Sequence, residues 1–250
     1  MAADVRTQRF ERKMTQRDQE IAERLALVKG TLSQVCTRTQ SSVELVAVSK
    51  TFPAEAVLAA ALAGQSIFGE NYAQEGCDKV DWFRANHPEL SLEWHFIGPL
   101  QSNKTRPVAE HFSWVQSVNR MKIAERLSSQ RPEGMPPLNV LIEVNVDGEE
   151  TKSGVKPEEA LQFARDVAAL PNLKLRGFMV IPTPEEDPEK QKVPFRAMKK
   201  LFDEANAAGL GLDTLSMGMS SDIESAIQCG STMVRVGSAI FGPRDYGHGH

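Results

Sequence analysis

Three features of this 250-residue sequence could do chemistry: a lysine closing an apolar run, glycines and serines near the other end, and an arginine set among apolar neighbours. Lys50 follows LVAVS directly. Its amine could attack a carbonyl carbon to form a Schiff base, which requires a neutral amine. Lysine's ordinary pKa is about 10.4, so at pH 7 burial or nearby positive charge has to supply that form. A solvated strand end is the competing reading of the same residue.

The second feature spans LSMGMSSD and VRVGSAIFG. Gly237 permits close backbone approach, Ser238 offers a hydroxyl and an N–H, and Ser216 or Ser220 can add donors, a set suited to a phosphate dianion. Small residues of this kind also make ordinary tight turns. Arg235 alternates with Met233 and Gly237 on one strand face, so it either faces a ligand or joins an internal ion pair. Asn71, His95, Met179 and Lys152 are weaker candidates, each equally readable as core or loop, and His248 and His250 read as a tail rather than a metal site. No carboxylate pair, Ser-His-Asp order, Walker loop or metal-ligand spacing is present.

These residues need elements to position them, and the hydrophobic pattern supplies a rhythm. Thr15 and Asp18 form a candidate capping box for a long first helix with Ile21, Leu25, Val28, Leu32 and Val35 on one face. Eight strand runs follow: VELVAVS, SIFGENY, WHFIGPL, SWVQSV, NVLIEVNV, LRGFMVIP, DTLSMG and TMVRVGSAIFG. Helices are predicted from Pro53 to Gly64 and near 73–86, 103–110, 119–129, 157–169, 195–208 and 221–229, with residues 182–194 as a charged loop. Strands alternating with helices imply parallel βαβ units. Eight of them in a chain of this length favour a TIM-like (β/α)8 barrel with an extra N-terminal helix over a doubly wound open sheet. Lys50, Ser216 or Ser220, Gly237 and Ser238 would then meet at the C-terminal mouth.

Composition narrows the function classes. Hydrophobic residues make up 41% and charged residues 25%, the net charge is -4, and Lys and Arg are scattered, so nucleic acid is not an expected partner. No apolar run approaches the roughly 20 residues of a membrane span, and residues 1–14 lack a secretory core, so the expectation is a cytoplasmic protein. The polar residues 1–15 are expected to form a disordered tail and 16–250 a single domain. Cys36, Cys77 and Cys229 are far apart and odd in number, which suggests buried reduced thiols.

VAVSKT, FGENYAQEG, EWHFIGPLQSNK, LSMGMSSD and GSTMVRVGSAIFG occur together in an order and spacing that resemble the pyridoxal 5'-phosphate (PLP) homeostasis proteins, whose barrel is similar to the alanine racemase N-terminal domain. The resemblance implies an internal aldimine on Lys50, phosphate contacts from Ser216, Gly237 and Ser238, Arg235 facing the pyridine nitrogen and Asn71 beside the ring. It implies a PLP carrier in vitamin B6 and amino-acid homeostasis, not an efficient enzyme, expected as a monomer with PLP-dependent apoenzymes as partners. Phe52 departs from the family, where many members carry lysine in SKTKP. An amino-acid racemase is the alternative, although racemisation needs a second acid-base group and only Tyr72 and Tyr246 are tyrosines. An aldolase-like barrel acting on a sugar phosphate through Lys50 is a more distant one.

Overall fold

The computed structural model describes residues 12–150 and 153–244. Helix α1 (Gln16–Thr39) opens with the predicted capping box, Thr15 accepting from the Asp18 N–H while the Asp18 carboxylate accepts from the Thr15 N–H. Arg12 pairs with Asp18 at 2.8 Å, which ties residues 12–15 to the helix. Residues 1–11 of the expected tail lie outside the described residues.

After α1 the chain alternates: β1 (Glu44–Val48), α2 (Ala54–Leu62), β2 (Ile67–Glu70), α3 (Ala73–Asn86), β3 (Glu93–Phe96), α4 (Thr105–His111), β4 (Trp114–Val118), α5 (Met121–Gln130) and β5 (Leu138–Glu143). It continues through α6 (Pro157–Ala168), β6 (Leu173–Met179), α7 (Pro188–Ala207), β7 (Thr214–Met219), α8 (Ile223–Gln228), β8 (Met233–Val236) and the one-turn α9 (Ser238–Phe241). The eight strands pair in parallel, in sequence order, and close through β1 against β8 with Val46 opposite Arg235. An open doubly wound sheet is therefore excluded.

Period-two alternation sorts the strand residues. Val46, Trp114, Leu141, Met179 and Met233 point inward as a separate apolar plug. Ala47, Phe68, Val115, Val140 and Val234 face the helix ring in the main core. Gly177 lets β6 approach β7, because a Cβ there would lie 1.7 Å from the Thr214 carbonyl oxygen.

Two elements differ from the sequence reading. Helix α7 begins at Pro188, not near 195, so much of the expected loop is helical. Asp187 caps it by accepting from the Glu189 N–H, Pro188 occupies the first turn where its missing N–H costs nothing, and the helix passes through Pro194. Pro194 misled the reading because proline usually terminates a helix. The apolar run SAIF, read as the end of the last strand, instead coils into α9 after Gly237. Of the three cysteines only Cys77 is buried, which pushes its thiol up to about 12; Cys36 and Cys229 are half-buried, and none is in a disulfide.

Candidate functional site

A cavity of about 420 Å³ opens at the C-terminal ends of the strands. Val48 and Lys50 reach it from β1, Asn71 from β2, Met219 and Ser220 from β7, and Arg235, Gly237 and Ser238 from β8. Of the four described non-glycine residues with left-handed φ, Ser220 at 52° lines it and Thr51 at 69° directly follows the lining residue Lys50. Strained backbone of this kind persists where neighbours over-determine it.

The neighbours of Lys50 are held by a buried ionic knot. Lys79, on α3, donates to Glu70 at 2.7 Å, to Glu75 at 2.9 Å and to the Ser49 carbonyl at 2.8 Å. Ser49 donates its hydroxyl to Glu70 at 2.7 Å, and the Thr51 N–H donates to Glu75. The residues immediately before and after Lys50 are thus both pinned to the Lys79 cluster. Burial pushes the Glu70 carboxyl up, while the Lys79 ammonium and the Ser49 hydroxyl pull it back.

Gly98 brings the loop after β3 against Asn71, since a Cβ there would sit 2.4 Å from the Asn71 carbonyl oxygen. The Asn71 side-chain Oδ1 is buried and has no hydrogen-bond partner among the described residues. Arg244 also lines the cavity, beside Gly237, and its buried Nε is likewise unpartnered there. Orphaned polar atoms of this kind call for a ligand or water to satisfy them. The sequence reading missed Arg244, and only its position after the last helix could have signalled it.

Arg235 is buried in the cavity floor. Its Nη2 donates to the Val180 carbonyl at 2.9 Å and its Nη1 to Ser216 Oγ. Burial lowers its pKa to about 10, with the Asp222 and Glu143 carboxylates acting the other way, so it stays charged at neutral pH.

Ser216 is the candidate that the structure does not bring to the cavity. Strand β7 runs on to Met219, which leaves Ser216 inside the barrel with its hydroxyl spent on Gln116 at 2.7 Å. Its expected phosphate contact does not fit that placement; Ser220, Gly237, Ser238 and Arg244 are the groups at that side of the mouth. His95 and Met179 are interior residues below the cavity. Tyr72 is exposed at the start of α3, while Lys152, Tyr246, His248 and His250 lie outside the described residues. No cluster of three or more metal-ligating side chains occurs among the described residues, and no described helix is long and apolar enough to cross a membrane.

A closed eight-stranded barrel with a lysine after its first strand and small residues after its last defines the class of the alanine racemase N-terminal domain, a family that the chain matches over residues 24–245. An alanine racemase from Corynebacterium glutamicum shares this fold with a TM-score of 0.66 at 18% identity, over 93% of this chain and 63% of that one. Relatives named pyridoxal phosphate homeostasis protein are far more similar: that of Vibrio cholerae is 56% identical over 213 residues, covering 85% of this chain and 90% of its own. That of Escherichia coli K12 is 51% identical over 233 residues, covering 91% and 98%. PipY of Synechococcus elongatus PCC7942, solved with PLP bound, superposes with a TM-score of 0.77 at 34% identity over 89% of this chain and 100% of that one. The chain belongs to the pyridoxal phosphate homeostasis protein family.

Proposed function

We propose that this protein binds PLP in the barrel mouth through Lys50 and holds or supplies it within the cell, acting in PLP and amino-acid homeostasis without efficient catalysis. One observation carries the reading: Lys50, Arg235 and the unpartnered Asn71 Oδ1 and Arg244 Nε converge on one cavity of about 420 Å³. The PLP-bound PipY relative supports it. Bound PLP supplies an aldehyde that can join the Lys50 amine and a ring that, when protonated, accepts electrons from a substrate carbon.

The chain's own residues favour retention over turnover. Arg235 presents only donors and keeps its charge at neutral pH, so it withholds a proton from a ring nitrogen set against it and leaves the ring a weak electron sink. Asn71 and Arg244 can accept and donate at the cavity wall, and Ser220, Gly237, Ser238 and Arg244, which line the same cavity, could hold a phosphate. Val48, Ile97 and Ile181 give the same cavity an apolar wall. The described lining contains no tyrosine, histidine or carboxylate to move a second proton opposite Lys50. Cytoplasmic residence, a monomeric state and transfer to PLP-dependent apoenzymes complete the proposal.

The test is the visible absorption spectrum of wild type and Lys50→Ala with added PLP, before and after borohydride, with mass spectrometry of the reduced adduct. A band and an adduct at Lys50, both absent from the variant, are the expected result. No band in wild type overturns the reading. Steady turnover of single-enantiomer alanine or serine would replace the carrier with a racemase.

A further inference from the structure

A continuous run of hydrogen bonds descends the barrel axis from Arg235. Its Nη1 donates to Ser216 Oγ, Ser216 donates to Gln116 Oε1 at 2.7 Å, Gln116 Nε2 lies 2.8 Å from His95 Nδ1, and His95 Nε2 lies 2.7 Å from Glu93 Oε1. Arg235, Ser216, Gln116 and His95 are all buried, whereas Glu93, on β3, is part-exposed at the opposite end of the barrel. The run therefore crosses the barrel from the cavity floor to the N-terminal rim.

The ends dictate the sense of every link. A guanidinium only donates, so Ser216 Oγ accepts from Arg235 and spends its single proton on Gln116. Gln116 then turns its carbonyl to Ser216 and its amide to His95, an orientation that its second contact, 3.3 Å to the Met233 sulfur, also requires. His95 Nδ1 must accept, which leaves the proton on Nε2 to donate to Glu93. Burial lowers the His95 pKa against the pull of Glu93, with Arg176 acting in the same direction as burial, so the neutral ring suits its place. Stacking on Trp114, with centroids 4.7 Å apart and planes 9° from parallel, fixes the ring's plane.

We propose that Gln116 and His95 are positioning residues for Arg235, forming with Ser216 a one-way hydrogen-bonded strut that fixes the guanidinium in the cavity floor. If the chain is cut at Gln116, Ser216 can turn and Arg235 keeps only its anchor on Val180. The inference rests on the proposed PLP site only for its ligand readout.

The test uses the full chain as wild type, Gln116→Leu and Gln116→Glu. In ligand-free protein, long-range 1H–15N spectra should show His95 as the neutral Nε2–H tautomer from pH 6 to 8, and Gln116→Leu should speed rotation of the Arg235 guanidinium. Gln116→Glu can accept from both Ser216 and a protonated Nδ1, so it should convert His95 to the imidazolium at neutral pH and keep the slow rotation. With PLP added, Gln116→Leu should bind at least about tenfold more weakly with a shifted absorption maximum, and Gln116→Glu should recover most of the affinity. A wild-type Nδ1–H tautomer, or Gln116→Leu with unchanged guanidinium rotation, overturns the proposal. If wild type takes no PLP, the cofactor reading fails while the NMR results still decide the strut. If Gln116→Leu does not fold, the wild-type tautomer and Gln116→Glu decide it.

Discussion

Replacing Lys79 by methionine tests whether the ionic knot beside Lys50 positions it. The ammonium is almost fully enclosed and makes three contacts of 2.7 to 2.9 Å, to Glu70, Glu75 and the Ser49 carbonyl. Methionine fills similar volume but strands Glu70, which is fully buried, with one oxygen already unpartnered among the described residues and the other left only Ser49. Removing one member of a buried pair typically costs about 3–5 kcal/mol, chiefly the cost of the abandoned charge.

The loss should vary with pH in a defined sense. Without Lys79 the Glu70 carboxyl moves further above its unfolded value of about 4.3, so the folded state holds a proton that the unfolded state has released. The deficit is then smallest below that value and grows as pH rises, by at most about 1.4 kcal/mol per pH unit. Urea unfolding at pH 5 and 7.5 measures both quantities. Lys79→Met/Glu70→Leu should recover most of the loss, because no charge remains stranded. PLP affinity of Lys79→Met should fall about tenfold through the released Ser49. A loss below about 1 kcal/mol at pH 7.5, or a deficit larger at pH 5, would refute the reasoning.

Phe52→Lys should destabilise the fold by about 2 kcal/mol or more, read by urea titration. Phe52 is buried, stacks on Phe241 at 5.2 Å and has the Arg17 guanidinium 5.9 Å from its ring, so a second cation is poorly received. Gly177→Ala should cost about 3 kcal/mol or more, or abolish folding, because its Cβ meets the backbone oxygen of Thr214 rather than a movable side chain; a thermal midpoint near that of wild type would contradict this. His95, neutral in the fold and depressed by burial, contributes stability that is present above its unfolded value of about 6.5 and is lost as pH falls below it. Wild type should therefore lose up to about 1.4 kcal/mol between pH 7.5 and 5.5 that His95→Gln does not lose, measured by urea unfolding at the two values.

The barrel was legible because its signals are local. The Thr15 and Asp18 cap, the apolar stripe of α1 and the strand rhythm each lie within a few residues, and they place Lys50, Ser220, Gly237 and Ser238 at one mouth. What local pattern could not supply were partnerships made by closure. Glu75 and Lys79 are one helical turn apart and readable as a pair, yet Glu70 joins them from a strand. Gln116 and His95 meet across neighbouring strands, and Ser216 meets Gln116 from a hundred residues away. Ser216 was misplaced because the length of β7, which decides whether a residue lines the mouth or the interior, depends on pairing with β6 and β8. Helix α7 was shortened because Pro194 carries a stop signal that the Asp187 cap and the buried Gln191 contacts to Glu185 and Ser225 overrule.

The pairing of β1 with β8 also has a meaning for synthesis on the ribosome. Lys50 emerges early, but the strand that completes its sheet and the residues that share its cavity, Arg235, Gly237 and Ser238, are translated almost two hundred residues later. Until then β1 is an unpaired edge, a template on which another chain could add a strand. Helix α1 covers part of this vulnerable region, and its contacts with α2, α8 and α9 are complete only once the ring is. Since the cavity exists only in the closed ring, ligand bound there stabilises closure by mass action. Occupancy of the cavity would in that way report, and protect, the last event in the making of the molecule.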